Sequence, residues 1–135
     1  KTNAPSYAKH SRDGIWINIF IEKMEMAYAA ADVVISRAGA MSVAEICVAK
    51  KPTVFVPYPF AAEDHQTVNA QHLVQKNAAL LVKDSEANTQ LVTTALQLLS
   101  NPTLQKNMQL QMEKLAIANA DETIATSILN YLNGK

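Results

Sequence analysis

Short apolar runs alternate with longer stretches in which apolar residues recur every three or four positions, and this rhythm organises the chain. Ile15-Trp16-Ile17-Asn18-Ile19-Phe20 is rich in β-branched and aromatic residues and predicts a strand, with the turn signal Asp13-Gly14 before it. Residues 22–30 predict a helix, because Met24, Ala27 and Tyr28 recur at helical spacing. Residues 33–36 form a short continuous apolar run, as expected of a strand covered on both faces. A helix over 41–50 follows, Lys51-Pro52 ends it, and Thr53-Val54-Phe55-Val56 predicts a third strand that Pro57-Tyr58-Pro59 closes into a loop. Residues 66–76 are helical in pattern, and Asn77 after them suits a left-handed C-terminal position. Residues 79–82 predict a fourth strand, and helices over about 89–99, 102–118 and 121–132 finish the chain. Asn101 and Pro102 suit the cap and first position of the second of these. The apolar stripes of the last three helices (Leu91, Leu98 and Leu99; Leu110 and Leu115; Ile124, Ile128 and Leu129) are expected to pack against the sheet.

The order βαβαβαβ followed by helices is that of an α/β fold, a Rossmann-like parallel sheet of about four strands flanked by helices. Residues 1–14 read as an irregular lead-in and 15–135 as the domain proper. At 135 residues, 49% hydrophobic and 18% charged, the composition is that of one globular domain. Twelve basic residues balance 12 acidic ones, so nothing in the charge argues for nucleic acid as a partner. The single cysteine, Cys47, permits no internal disulfide and fits a reducing, cytoplasmic compartment, and no apolar run reaches the ~18 residues that span a bilayer.

In open parallel sheets ligands bind outside the carboxyl ends of the strands. Two segments there are rich in small and polar residues. In Ser36-Arg37-Ala38-Gly39-Ala40-Met41-Ser42-Val43-Ala44-Glu45 a strand gives way to a small-residue turn and then a helix, an arrangement that aims backbone N–H groups and a positive helix end at a phosphate. Neither a dinucleotide fingerprint nor a Walker loop is present, and a tight turn relieved by Gly39 is an equal reading. Glu45 suits two vicinal sugar hydroxyls, while Ser42-Val43-Ala44-Glu45 also matches a capping box in which Glu45 binds only its own helix. In the second segment, Glu63 to Asn69, Asp64 is a candidate cap, and His65, Gln66 and Asn69 share one turn from which amides and an imidazole can read sugar hydroxyls; a solvated first turn is the alternative. Phe20 is either core or a platform for a base. The histidines are dispersed, Cys47 reads as a small core residue, and no metal set emerges.

Taken together, Phe20 to Met24, Ala27 to Ala40, Ser42 to Glu45, Lys51-Pro52, Val56-Pro57 and Asp64-His65-Gln66-Thr67-Val68-Asn69-Ala70 closely resemble the MurG family of bacterial glycosyltransferases over about residues 15–132. The resemblance implies the C-terminal, donor-binding half of a two-domain GT-B enzyme that moves GlcNAc from UDP-GlcNAc to lipid I, forming lipid II in peptidoglycan synthesis. By that resemblance Phe20 would cover the uracil and the Ile21 backbone would bond its edge. Ala40, Met41 and Ser42, following Gly39, would present N–H groups to the diphosphate, and Glu45 would hold the ribose. His65 and Gln66 would contact the GlcNAc, with Asn69 close by. The family's N-terminal domain carries the lipid I site, the surface that meets the inner face of the cell membrane and the proposed general base, so no catalytic residue is expected in this chain, and no cofactor or metal. A separate donor-binding subunit and a non-catalytic nucleotide-sugar-binding module of the same fold are the alternative readings.

Overall fold

The computed structural model describes residues 7–134, so the first six residues of the expected lead-in lie outside the described residues. The chain divides into two compact units, 1–30 and 31–135.

In the first unit, paired backbone hydrogen bonds between Arg12 and Ile15 (2.8 and 3.0 Å) close a tight turn over Asp13-Gly14. Gly14 sits there at φ +78°, where a side chain would be strained. The strand expected over 15–20 does not form: the Arg12–Ile15 bridge is isolated, and the backbone beyond it enters no ladder. Strand propensity records how well a residue fits a pleated, half-buried surface, and it yields a strand only beside a pairing partner. Trp16, Ile19 and Phe20 are correspondingly exposed. Helix α1, Met24–Ala30, ends the unit.

The second unit is built on a parallel sheet of three strands, β1 (Val34–Ser36), β2 (Thr53–Phe55) and β3 (Leu80–Leu81), in that spatial order. Thr53 pairs with Val34 and Phe55 with Ser36, while Val54 pairs with Leu80 and Phe55 with Leu81. The sheet therefore has one strand fewer than the sequence pattern predicts. Central β2 is buried throughout, and the hydroxyl of its Thr53 is satisfied by donating to the Lys51 carbonyl at 2.6 Å.

The helices are α2 (Ala40–Ala49), α3 (His65–Gln75), α4 (Ala87–Leu99), α5 (Pro102–Leu115) and α6 (Ala120–Asn133). Val54 and Val82 pack with Leu98 of α4 and Met108 of α5 in a cluster flanked by Val33, Leu80, Leu91 and Leu104. Ile46 and Cys47 of α2 and Ala70 and Leu73 of α3 are also buried. Burial pushes the Cys47 thiol up from its ordinary value, in keeping with an inert core residue.

Caps set the ends of these helices. Asn77 takes φ +55°, its N–H donating to the Val74 carbonyl and that of Ala78 to Leu73, the pairing that closes a helix through a left-handed residue. The Asn101 side chain accepts from the Leu104 N–H at 3.0 Å ahead of Pro102. The apolar stripe of α6 departs from expectation, because Ile124, Ile128 and Leu129 are all exposed and α6 buries no residue. Three short strands give α3 and α4 their apolar floor, with α5 closing over α2 and α4. Leu99 and Leu110 are likewise more exposed than core residues.

Candidate functional site

The carboxyl ends of the three strands carry the site. Beyond β1 the chain passes through Arg37 and fully buried Ala38 to Gly39, the residue that caps α2. Gly39 lies at φ −65°, ψ 148°, extended backbone open to any residue, and a Cβ there would meet only the Ser42 hydroxyl oxygen, at 3.9 Å. Gly39 thus does not relieve strain, and a methyl group there would make only an ordinary van der Waals contact. The first helical hydrogen bond runs from the Val43 N–H to the Gly39 carbonyl at 2.9 Å, and no side chain caps this end. The N–H groups of Ala40, Met41 and Ser42 precede that bond and stand outside the helical ladder, at the positive end of a ten-residue helix. The first turn holds no acidic residue to oppose an anion.

This geometry removes the capping-box reading. Ser42 is the third helical residue rather than the cap, since Ala40 and Met41 already belong to the helix and Gly39 caps it. Ala is the strongest helix former and Gly an acceptable cap, so the helix starts ahead of Ser42. Glu45 then falls in the second turn of α2, exposed.

The first turn of α3 closes on this loop. Asn69 donates from Nδ2 to the Ala38 carbonyl at 3.1 Å, a partly buried bond that pins the backbone just before Gly39. Gln66 accepts through Oε1 from the Tyr58 N–H at 3.0 Å, which holds the loop after β2 and leaves the amide nitrogen as the donor for a ligand. Glu63 and Asp64 both adopt left-handed φ, +51° and +52°, a conformation that costs about 1–2 kcal/mol for a residue with a Cβ and that sets the entry to α3. Asp64 does not cap the helix backbone; its carboxylate accepts from the Thr67 hydroxyl at 2.6 Å. His65 Nδ1 lies 2.6 Å from the Ala62 carbonyl. A carbonyl only accepts, so Nδ1 carries a proton and Nε2 of the neutral ring is an acceptor. Asn69, Gln66 and His65 are therefore each bonded to loop backbone.

Arg37 is the residue that sequence reasoning left without a role. Its Nη1 donates to the carbonyls of Val56 and Pro57, both at 3.1 Å, and to Asp84 Oδ1 at 2.5 Å, and the guanidinium carbon lies 5.7 Å from the centre of the Tyr58 ring. One side chain leaving β1 so joins the ends of β2 and β3. Its signal in the sequence was its place, the only charge between the strand and the helix start.

A hollow of about 620 Å³ opens beside this edge, lined among others by Pro57, Phe60, Asp64, Thr67, Lys83 and Asp84. No residue of 39–45 is among its lining. Phe20 and Ile21 belong to the first unit, and their expected contact with a base rests on the family resemblance alone. Among the described residues no three His, Cys, Asp or Glu side chains are placed to hold a metal ion. None of the described helices is long and apolar enough to cross a membrane.

The family model described as Glycosyltransferase family 28 C-terminal domain matches residues 2–124. A protein of Flavobacterium psychrophilum, named UDP-N-acetylglucosamine--N-acetylmuramyl-(pentapeptide) pyrophosphoryl-undecaprenol N-acetylglucosamine transferase, is 38% identical over 92% of this chain and 34% of its own length. Its namesake in Parabacteroides distasonis is 42% identical over 90% of this chain and 33% of its own. The crystal structure of Acinetobacter baumannii MurG superposes with a TM-score of 0.73 at 38% identity, over 85% of this chain and 35% of that one. The chain spans about a third of the length of these relatives. From its match to the family model and its likeness to MurG in sequence and fold, the chain belongs to the glycosyltransferase family 28 C-terminal domain family.

Proposed function

We propose that this domain binds UDP-GlcNAc for transfer of GlcNAc to lipid I, the step that forms lipid II. The observation that carries the reading is the uncapped start of α2. Three N–H groups, from Ala40, Met41 and Ser42, stand outside the ladder at a helix start that no side chain caps, and Asn69 holds the Ala38 carbonyl just ahead of it. A diphosphate is the group such an array takes. Glu45, in the following turn, is the acceptor for the ribose hydroxyls. His65 Nε2 accepts from a GlcNAc hydroxyl and the Gln66 amide nitrogen donates to one, since His65 Nδ1 and Gln66 Oε1 are already engaged.

In the whole enzyme the acceptor hydroxyl attacks the anomeric carbon and the UDP diphosphate leaves with inversion. The contribution of this domain is to stabilise charge on that leaving group through the α2 N–H groups and the helix dipole. By the family resemblance, the lipid I site, the general base and the contact with the inner face of the cell membrane fall to the N-terminal domain of such enzymes, which this chain does not span.

Calorimetric titration with UDP-GlcNAc tests the reading. Binding by this chain and its loss in Glu45→Ala are expected. Unchanged binding by Glu45→Ala removes the ribose role, and GlcNAc transfer to a lipid I analogue by this chain alone contradicts the division of labour.

A further inference from the structure

We propose that Arg37 and Asp84 form a positioning pair for the diphosphate, one that sets the loop between β1 and α2 without touching the ligand through the shared nitrogen. The inference rests on the diphosphate reading above. Arg37 Nη1 has two hydrogens and three oxygen partners, the carbonyls of Val56 and Pro57 and the carboxylate of Asp84, so that end of the guanidinium is fully committed. Asp84 opens the short turn Asp84–Glu86 after β3, and Arg37 stands two residues before the Gly39 cap. The pair thus holds the loop at Arg37, and Asn69 holds the neighbouring Ala38 carbonyl. Both side chains are substantially exposed, 51% and 36%, and such pairs contribute little to stability. Their effect falls instead on geometry. An anion held by backbone N–H groups loses affinity when those groups shift, because each must point at an oxygen.

This arrangement has a counter-intuitive consequence. Asp84 is a negative charge bonded to the loop that leads into α2, and on electrostatics alone its removal favours an anion held by that loop. As a positioning residue its removal weakens binding. The test is calorimetric titration of the chain with UDP for wild type, Asp84→Ala, Asp84→Asn, Arg37→Ala, Arg37→Lys and the Arg37→Ala/Asp84→Ala double variant, with thermal melting of each to establish folding. Asp84→Ala is expected to weaken UDP binding about tenfold, the loss of one charge-assisted hydrogen bond. Asp84→Asn keeps an acceptor oxygen and is expected within about threefold of wild type. Arg37→Lys, a point charge without the planar fork, is not expected to restore binding. The double variant is expected to be no worse than Arg37→Ala, as for two residues acting as one unit. Unchanged or tighter binding by Asp84→Ala, wild-type affinity in Arg37→Lys, or additive losses overturn the inference while leaving the diphosphate reading in place. A folded wild-type chain that does not bind UDP overturns both.

Discussion

Asn69 separates two accounts of the α3 first turn. If it only reads a sugar, its removal affects binding and leaves the fold alone. In the structure its Nδ2 donates at 3.1 Å to the carbonyl of Ala38, a residue with no exposed surface. Asn69→Ala leaves that carbonyl without its donor. A buried polar group stranded in this way costs about 1–3 kcal/mol. Asn69 itself is half-buried and Gly39 lies next to the bond, so water can enter the space, and the lower end of the range applies, about 1 kcal/mol. For a domain of this size that is a fall in melting temperature of roughly 4 °C. Asn69→Asp has the same shape but sets an acceptor against an acceptor, and is expected to melt lower still at neutral pH. Differential scanning calorimetry of the three proteins without ligand is the assay. Melting of Asn69→Ala within 1 °C of wild type, or of Asn69→Asp above Asn69→Ala, refutes the clamp.

Other substitutions probe separate links. Leu98→Ala empties the centre of the cluster with Val54, Val82 and Met108 and is expected to cost about 2–5 kcal/mol in urea unfolding, with the m-value unchanged. Asn101→Ala removes the acceptor of the Leu104 N–H and is expected to cost about 1 kcal/mol in the same measurement. Gly39→Ala places a Cβ in ordinary van der Waals contact with the Ser42 hydroxyl at a compatible φ, so stability in the same measurement should hold or rise by up to about 1 kcal/mol.

Much of the second unit was legible in its sequence because local and tertiary preferences agree there. The apolar runs Val34 to Ser36 and Thr53 to Phe55 both form strands, Thr53 to Phe55 buried as expected, whereas β1 lies at the edge of the sheet with Ile35 half exposed rather than covered on both faces, and Asn77 and Asn101 perform at helix ends the roles their side chains favour. Where the reading departs from the structure, a distant partner decides. Among the described residues, Ile15 to Phe20 has strand propensity but pairs with no strand, and the α6 stripe has amphipathic spacing but buries no residue. Ser42 and Glu45 have capping-box spacing, but the helix begins ahead of them. In the candidate site, the small residues Ala38, Gly39 and Ala40 marked a turn suited to an anion or to a plain tight bend. The bonds that shape it, from Asn69 to Ala38 and from Arg37 to Val56, Pro57 and Asp84, join residues 19 to 47 positions apart and leave no local pattern.

The N–H groups at the start of α2 are the centre of the account, and an amide-resolved NMR titration of the ¹⁵N-labelled chain with UDP addresses them directly. The account predicts that the largest saturable shifts fall on the Ala40, Met41 and Ser42 amides, which bonding to an anion moves most. Saturable shifts centred elsewhere, with these three amides unmoved, would contradict it.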